Sequence, residues 1–272
     1  MKTYPLLLGK DRRLFGVCTT PSNHRDSLGA IILNAGLLHN VGPFRLHVNL
    51  AHDLAELGIP SIRLDQSGKG ESPARSELNW KQSVLQDYDD AFVELQKLGV
   101  NRSILIGLCS GADDAMQIVS QRTSVCALLM FDGYARKTSA FEARKKAESG
   151  GTLKSLLRSA SYPLRSLRGI GKSKKSSVAI DLRDWDSDEE MTGILTRFVD
   201  NGGHIFAVFT PGQDYYNYEG QFVETVSHAR DSAKVREVYF DDTDHTFSRV
   251  AHRERLRADV VEWAKSLVDE PD

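Results

Sequence analysis

Cysteine is scarce in this chain: 272 residues carry three, Cys18, Cys109 and Cys126. An odd number at wide spacing builds no disulfide framework and fits reduced thiols in a cytoplasm. There is no CxxC and no clustered His/Cys spacing, so neither a zinc site nor any other cofactor is expected. Long apolar runs are also missing. Nothing approaches the ~20 residues of a membrane span. The short run Leu6–Leu8 is followed closely by charges and is too brief for the apolar centre of a signal segment. The expectation is a cytoplasmic chain with no integral membrane association. A net charge is nearly absent too: 35 Lys and Arg against 37 Asp and Glu leave −2. That excludes a generally basic polyanion binder, and with no recognised nucleic-acid motif no nucleic-acid partner is expected.

What is present is a globular composition, 40% hydrophobic and 26% charged. The length is about 1.8 times the ~150-residue prior for one domain, which suits one domain carrying an insertion. The small net charge conceals an asymmetry. Between Arg136 and Lys175 lie 12 basic residues and two acidic ones, Glu142 and Glu148, so this segment carries +10 and the remainder −12.

Short apolar runs alternate with helical stripes. Leu14–Cys18, Ala30–Leu33, Ser61–Leu64, Ser103–Ile106, Val125–Met130, Ile205–Phe209 and Val235–Phe240 have the composition of strands. Leu46, Leu50, Leu54 and Leu57 form one stripe, and further helices are expected over Ser83–Leu98, Gly111–Ser120, near Gln221–Ala229 and from about Arg249 to Val268. This cadence predicts an α/β fold, a mostly parallel central sheet flanked by helices. The stretch from Tyr134 to about Asp186 breaks the alternation, with Val178–Ile180 its one strand-like run. It predicts an inserted helical cap over residues 134–186, between core segments 1–133 and 187–272. Ser187 and Glu190 have capping-box spacing for a helix that stops at Gly202-Gly203.

The sharpest chemical signal is Gly107-Leu108-Cys109-Ser110-Gly111, where a strand runs through G-x-C-x-G into a helix. Small residues two before and two after the central position let strand and helix approach through a strained turn that lifts the side chain above the sheet. Taken alone, the pattern also describes a buried structural cysteine with packing glycines. Past the Ile205–Phe209 strand comes Thr210-Pro211-Gly212-Gln213-Asp214, and past Val235–Phe240 comes Asp244-His245-Thr246-Phe247. The order nucleophile, acid, histidine (Cys109, Asp214, His245) is the one this architecture requires. Asp132, just past Val125–Met130, and Asp244, beside the histidine, are alternative acids; Asp214 is preferred because its loop follows the next-to-last strand. Main-chain N–H groups of Leu37 and Ser110 are the expected oxyanion donors. His39 and His47 lie near that loop, where a histidine is more often satisfied locally than catalytic.

Asp65-x-x-Gly68-x-Gly70-x-Ser72, the Cys109 elbow, the Gly212/Asp214 turn and Asp244-His245-Thr246-Phe247 together resemble the α/β-hydrolase superfamily, with a serine-aminopeptidase-like and lysophospholipase-like flavour. The run Asn34-Ala35-Gly36-Leu37…Val41-Gly42-Pro43-Phe44-Arg45 is also similar to hydrolases associated with bacterial exosortase systems. The resemblance spans about 10–134 and 200–270 and places the insertion where this fold carries its cap. Two departures stand out. Superfamily members usually carry Ser at the elbow, with Cys in dienelactone-hydrolase-like enzymes and some thioesterases, and the usual His-Gly after the first central strand is Ala35-Gly36 here.

With Cys109 as nucleophile, the resemblance implies a hydrolase of ester or thioester substrates, thioesterases included, working through an acyl-thioester intermediate. The same intermediate serves an acyltransferase or cyclising enzyme, and a non-catalytic binding protein could keep the fold with an inert Cys. The cap residues Lys137, Arg144, Lys145, Lys146, Lys154, Arg158, Arg165 and Arg168 either form a solvated basic face or receive an anionic partner. The second option points to a small-molecule acyl substrate that is anionic or linked to a carrier protein or CoA.

Overall fold

The computed structural model describes residues 1–24, 27–36, 38–147, 185–226 and 234–269. Its strands are β1 (Lys2–Leu8), β2 (Leu14–Thr20), β3 (Ser27–Ile32), β4 (Ser61–Asp65), β5 (Val100–Leu108), β6 (Val125–Phe131), β7 (His204–Phe209) and β8 (Val235–Tyr239). They form one sheet in the order β1-β2-β4-β3-β5-β6-β7-β8. The pairs β1/β2 and β2/β4 are antiparallel, and every other pair is parallel. The mostly parallel sheet expected from the alternation is therefore present, with an antiparallel margin that the alternation did not announce.

β1 escaped notice for a physical reason. It is an edge strand exposed along most of its length, with Lys2 and Thr3 in place of an apolar alternation and Pro5 tolerated where no outer neighbour needs its N–H. The central strands are the opposite. Ala30–Ile32, Ile104–Ile106, Ala127–Phe131 and Ile205–Phe209 are buried on both faces, so they appear in the sequence as continuous apolar runs.

Helices α1 (Leu46–Glu56) and α7 (Val250–Asp269) cover one face, where Leu50, Leu54, Leu256 and Trp263 pack on Ile32, Ile104 and Phe206. On the other face α2 (Trp80–Gln96), α3 (Ser110–Val119) and α5 (Asp188–Asp200) bury Tyr88, Phe92, Met116 and Leu195 against Leu105, Leu128 and Ala207. Residues 139–147 form a further helix, α4, and α6 spans Gln221–Thr225. α5 starts where expected, with Ser187 Oγ accepting from the Glu190 N–H at 3.3 Å, which is one half of the expected capping box.

One helix start differs. α2 begins at Trp80, before the expected Ser83. Asn79 Oδ1 accepts from the Gln82 N–H at 3.0 Å and Gln82 Oε1 from the Asn79 N–H at 3.1 Å, a reciprocal capping box. The shift matters because it puts Trp80 in the first turn of a helix beside the site.

Of the expected insertion 134–186, residues 134–147 and 185–186 are described. Phe141 of α4 is buried; its carbonyl accepts from Asn217 Nδ2 at 3.2 Å, and Thr138 Oγ1 meets Tyr218 OH at 2.6 Å, so this segment rests on the loop after β7. Lys154, Arg158, Arg165, Arg168 and the strand-like Val178–Ile180 lie outside the described residues.

Candidate active site

The elbow is built by two glycines that accept no side chain. A Cβ on Gly107 would stand 2.2 Å from the Gly111 carbonyl oxygen, and one on Gly111 would stand 2.3 Å from that of Asn34. Both obstacles are backbone, which cannot step aside as a flexible side chain can. Between them Cys109 takes φ 56°, ψ −122°, a strained conformation for a residue with a Cβ, and its N–H donates to the Phe131 carbonyl at 2.9 Å. The turn is thus held in place from the neighbouring strand, and Cys109 stands at the N-terminus of α3. We expect Gly107→Ala to lower stability by about 3 kcal/mol, the upper end for overpacking, because backbone must separate from backbone; equilibrium urea unfolding measures it.

His245 reaches this elbow on the loop after β8. Asp244 anchors the loop by accepting from the Thr246 N–H at 3.0 Å and the Ser248 Oγ at 2.5 Å. The buried Phe247 ring, edge-on to Phe131 and Phe240, pins the loop's far side. Asp244 therefore shapes the loop and is not the histidine's acid.

The acid that meets His245 is Asp132, and this corrects the expectation of Asp214. Asp132 Oδ2 lies 2.6 Å from His245 Nδ1. Asp132 is fully buried with φ 46°, a left-handed bend directly after β6. Its carboxylate also accepts from the Thr210 N–H at 2.7 Å and the Thr210 Oγ1 hydroxyl at 2.6 Å. The loop after β7 thus supplies donors to the acid instead of the acid itself. Gly212 turns that loop with φ 92°, which leaves Asp214 exposed; its neighbour Gln213 places Nε2 3.3 Å from His245 Nδ1.

Hydrogen bonds to Asp132 and then to Cys109 raise the His245 pKa to about 10, with burial opposing them. Cys109, His245 and Asp132 thus form one connected line of thiol, imidazole and carboxylate.

No family model matches the chain, and no curated protein does. Solved structures do match. A serine hydrolase homologue from Coxiella burnetii aligns with a TM-score of 0.56 at 16% identity, over 96% of this chain and 96% of that one. Est1E from Butyrivibrio proteoclasticus with ferulic acid bound gives 0.56 at 17%, over 94% and 96%. Proline iminopeptidase from Mycobacterium smegmatis gives 0.57 at 16%, over 98% and 99%. The chain has the α/β-hydrolase fold.

In an α/β-hydrolase fold the loop after β3 faces the elbow, and here a polar net ties it down. The Gly36 N–H donates to Ser110 Oγ at 2.9 Å. Asn34 Nδ2 donates to the Leu38 carbonyl at 2.8 Å and to Asp65 Oδ1 at 3.1 Å; Asp65 also accepts from the N–H groups of Asn40 and Glu71. Gly70 is needed because any Cβ there would lie 2.4 Å from the Asp65 carboxyl carbon. The Asp65–Ser72 motif therefore works as a clamp for this loop. Of the two expected main-chain donors, Ser110 lies in the first turn of α3, where an N–H has no intrahelical acceptor; Leu37 lies outside the described residues.

His39 is largely exposed, 3.9 Å from Asp65. His47 is buried in α1 with neither ring nitrogen hydrogen-bonded, so it is not satisfied locally as expected, and burial followed by the Arg63 charge lowers its pKa to about 4.

A cavity of about 560 Å³ opens at Cys109, Ser110 and Gly36. Its walls include Trp80, Trp185, Met116, Met191 and Ile194, with Lys69, Asp113, Asp114 and Asp186. These wall residues were not singled out beforehand. The one local hint was an adjacent pair of carboxylates, Asp113-Asp114, just past the elbow. Among the described residues no group of three or more His, Cys, Asp or Glu side chains is placed to hold a metal.

Proposed function

We propose that this chain is an acyl hydrolase that cleaves ester or thioester bonds through Cys109, His245 and Asp132. The observation that supports it is the histidine bridging Asp132 and Cys109, with Cys109 also lining a cavity. Esterases and peptidases among the structural neighbours are consistent with it. With Nδ1 held by Asp132, Nε2 is left for the thiol, and an imidazolium there favours the thiolate.

The thiolate attacks the substrate carbonyl carbon, and its electrons pass to the carbonyl oxygen. The Ser110 N–H, with a donor from the loop after β3, stabilises that oxyanion. As the tetrahedral species collapses, the bond to the leaving group breaks and His245 Nε2 donates its proton to it. The Cys109 thioester remains. His245 then takes a proton from water, whose hydroxide attacks the thioester, and the acid and the thiolate–imidazolium pair are released. Esters and thioesters suit this route because a thiolate is itself a good leaving group, which makes expulsion of an unactivated amine the harder direction.

The deciding measurement is intact-protein mass after mixing with p-nitrophenyl acetate and with an acetyl thioester. An acetyl group mapped to Cys109, formed and lost at rates matching turnover, is the expected result; no adduct on Cys109 from either reagent would overturn the proposal.

The raised histidine pKa sets a pH signature. The charged pair is whole below the ordinary histidine value of 6.5 and is lost as pH rises through about 10. Both folding stability from this pair and kcat/KM should therefore hold across neutral pH and decline through about 10. A decline centred near 6.5 would show that no such pair forms.

A further inference from the structure

We infer that Arg253 is a positioning residue, whose guanidinium holds the His245 turn against the loop after β3 and so keeps the imidazole on Cys109. This rests on the acyl-hydrolase reading above and adds to it a group that touches none of the reacting atoms.

The turn itself is tightly defined. The Phe247 N–H donates to the Asp244 carbonyl at 2.9 Å, so His245 and Thr246 are the central pair of a closed four-residue turn. Asp244 fixes the leading end through Thr246 and Ser248. Phe247 ends the turn at φ 53°, left-handed backbone that a residue with a Cβ keeps only where its surroundings hold it. Arg253 supplies that hold. Its Nη1 donates to the Phe247 carbonyl and to the Ser248 carbonyl, each at 2.7 Å, so one cationic group fixes two successive carbonyls at the trailing end.

The other arginines of α7 do something different. Arg255 pairs with Asp242 and Arg257 with Asp53, whereas Arg253 bonds main chain. Its Cζ also lies 5.1 Å from the centre of the Phe44 ring, a cation–π contact. Phe44 stands at the far end of the loop after β3, where it and Arg45 are both left-handed, with φ 47° and 62°. The near end of that loop is the Gly36 N–H bonded to Ser110 beside Cys109. Arg253 therefore touches both loops on which the chemistry depends, the one with the proton donor and the one beside the oxyanion.

The imidazole needs this support. Asp132, Gln213 and Cys109 meet its ring nitrogens, but the side chain is 36% exposed, so packing alone does not lock it. The turn sets where the ring starts. A displacement of about 1 Å at a reacting group costs on the order of 10^2 in rate.

The test joins turnover of p-nitrophenyl acetate to an NMR titration of His245 in the substrate-free protein, with the signal assigned by its loss in His245→Gln. Arg253→Met keeps an apolar stem against Phe44 and donates nothing. Its kcat should fall about 10^2-fold with little change in KM, and the His245 midpoint should move down from about 10 as the bonds to Asp132 and Cys109 loosen. Arg253→Lys keeps a charge and donors, and should recover part of both. Phe44→Leu should lower kcat about two- to fivefold, the range for an exposed cation–π contact, with no further loss when combined with Arg253→Met. Arg257→Met breaks the pair between α7 and α1, and should lower the unfolding temperature while leaving kcat and the His245 midpoint in place. Losses in Arg253→Met that Arg257→Met matches would overturn the inference, as would additive losses for Phe44→Leu and Arg253→Met. The titration needs no substrate and so separates the two proposals. A midpoint that moves in Arg253→Met supports the positioning role even if no ester acylates Cys109, and one that stays in place defeats it whatever the turnover.

Discussion

Cys109→Ala should lower kcat/KM for p-nitrophenyl acetate by about 10^5 or more, toward the uncatalysed rate, since removal of a covalent nucleophile leaves only binding and oxyanion contacts. The substitution keeps a Cβ at φ 56°, so the elbow's backbone strain is unchanged and the thermal unfolding midpoint should move little. Cys109→Ser provides the informative contrast. A hydroxyl lies far from ionisation at neutral pH, and His245 would have to remove its proton during attack. Yet the raised pKa depends in part on the hydrogen bond to Cys109, so the serine variant should show a lower histidine pKa and a residual activity roughly 10^2 to 10^3 below the parent, the scale of general-base assistance. Turnover that survives in Cys109→Ala would remove this residue from the chemistry.

Asp132→Asn carries the second large effect, and Asp214→Asn is its control. An asparagine amide at 132 can present N–H to His245 Nδ1, which reverses the tautomer and turns the wrong nitrogen toward Cys109. The analogous exchange in a nucleophile–His–Asp triad lowers kcat by about 10^4. The pH profile should change with it. Asp132 is the largest cause of the raised His245 pKa, so the alkaline decline near 10 should move to lower pH in this variant. That shift separates an electrostatic role from loss of fold, because a weakened scaffold would reduce activity without relocating the limb. Asp214, exposed on its loop, should exchange for asparagine with activity and pH profile intact. If the two variants behave the other way round, Asp214 is the acid after all.

Much of the architecture was legible along the chain because the central strands are buried on both faces, and such strands must be apolar throughout. Ile104–Ile106 and Leu128–Phe131 announce themselves for that reason. The elbow was legible because its geometry tolerates glycine alone at 107 and 111. His245 stood out as the histidine just past the last strand. β1 was not legible, since an edge strand needs no apolar alternation, and Trp80 was missed because the capping residue Asn79 lies beyond the apolar stripe by which α2 was recognised.

The sequence by itself determined the sheet class, the elbow with Cys109 at its tip, and the loop that carries the histidine; it left the acid among Asp214, Asp132 and Asp244 and favoured the wrong loop. Only the tertiary structure decided which carboxylate meets His245. Strand ends can be counted along a chain, but side-chain direction depends on one left-handed bend at Asp132 and on Thr210 arriving from the neighbouring strand to hold it. The cavity was decided in three dimensions as well. Trp80 and Trp185 stand far apart in sequence, and they meet at one site because Asp113 and Asp114 lie on a single helical turn and each accepts one indole N–H.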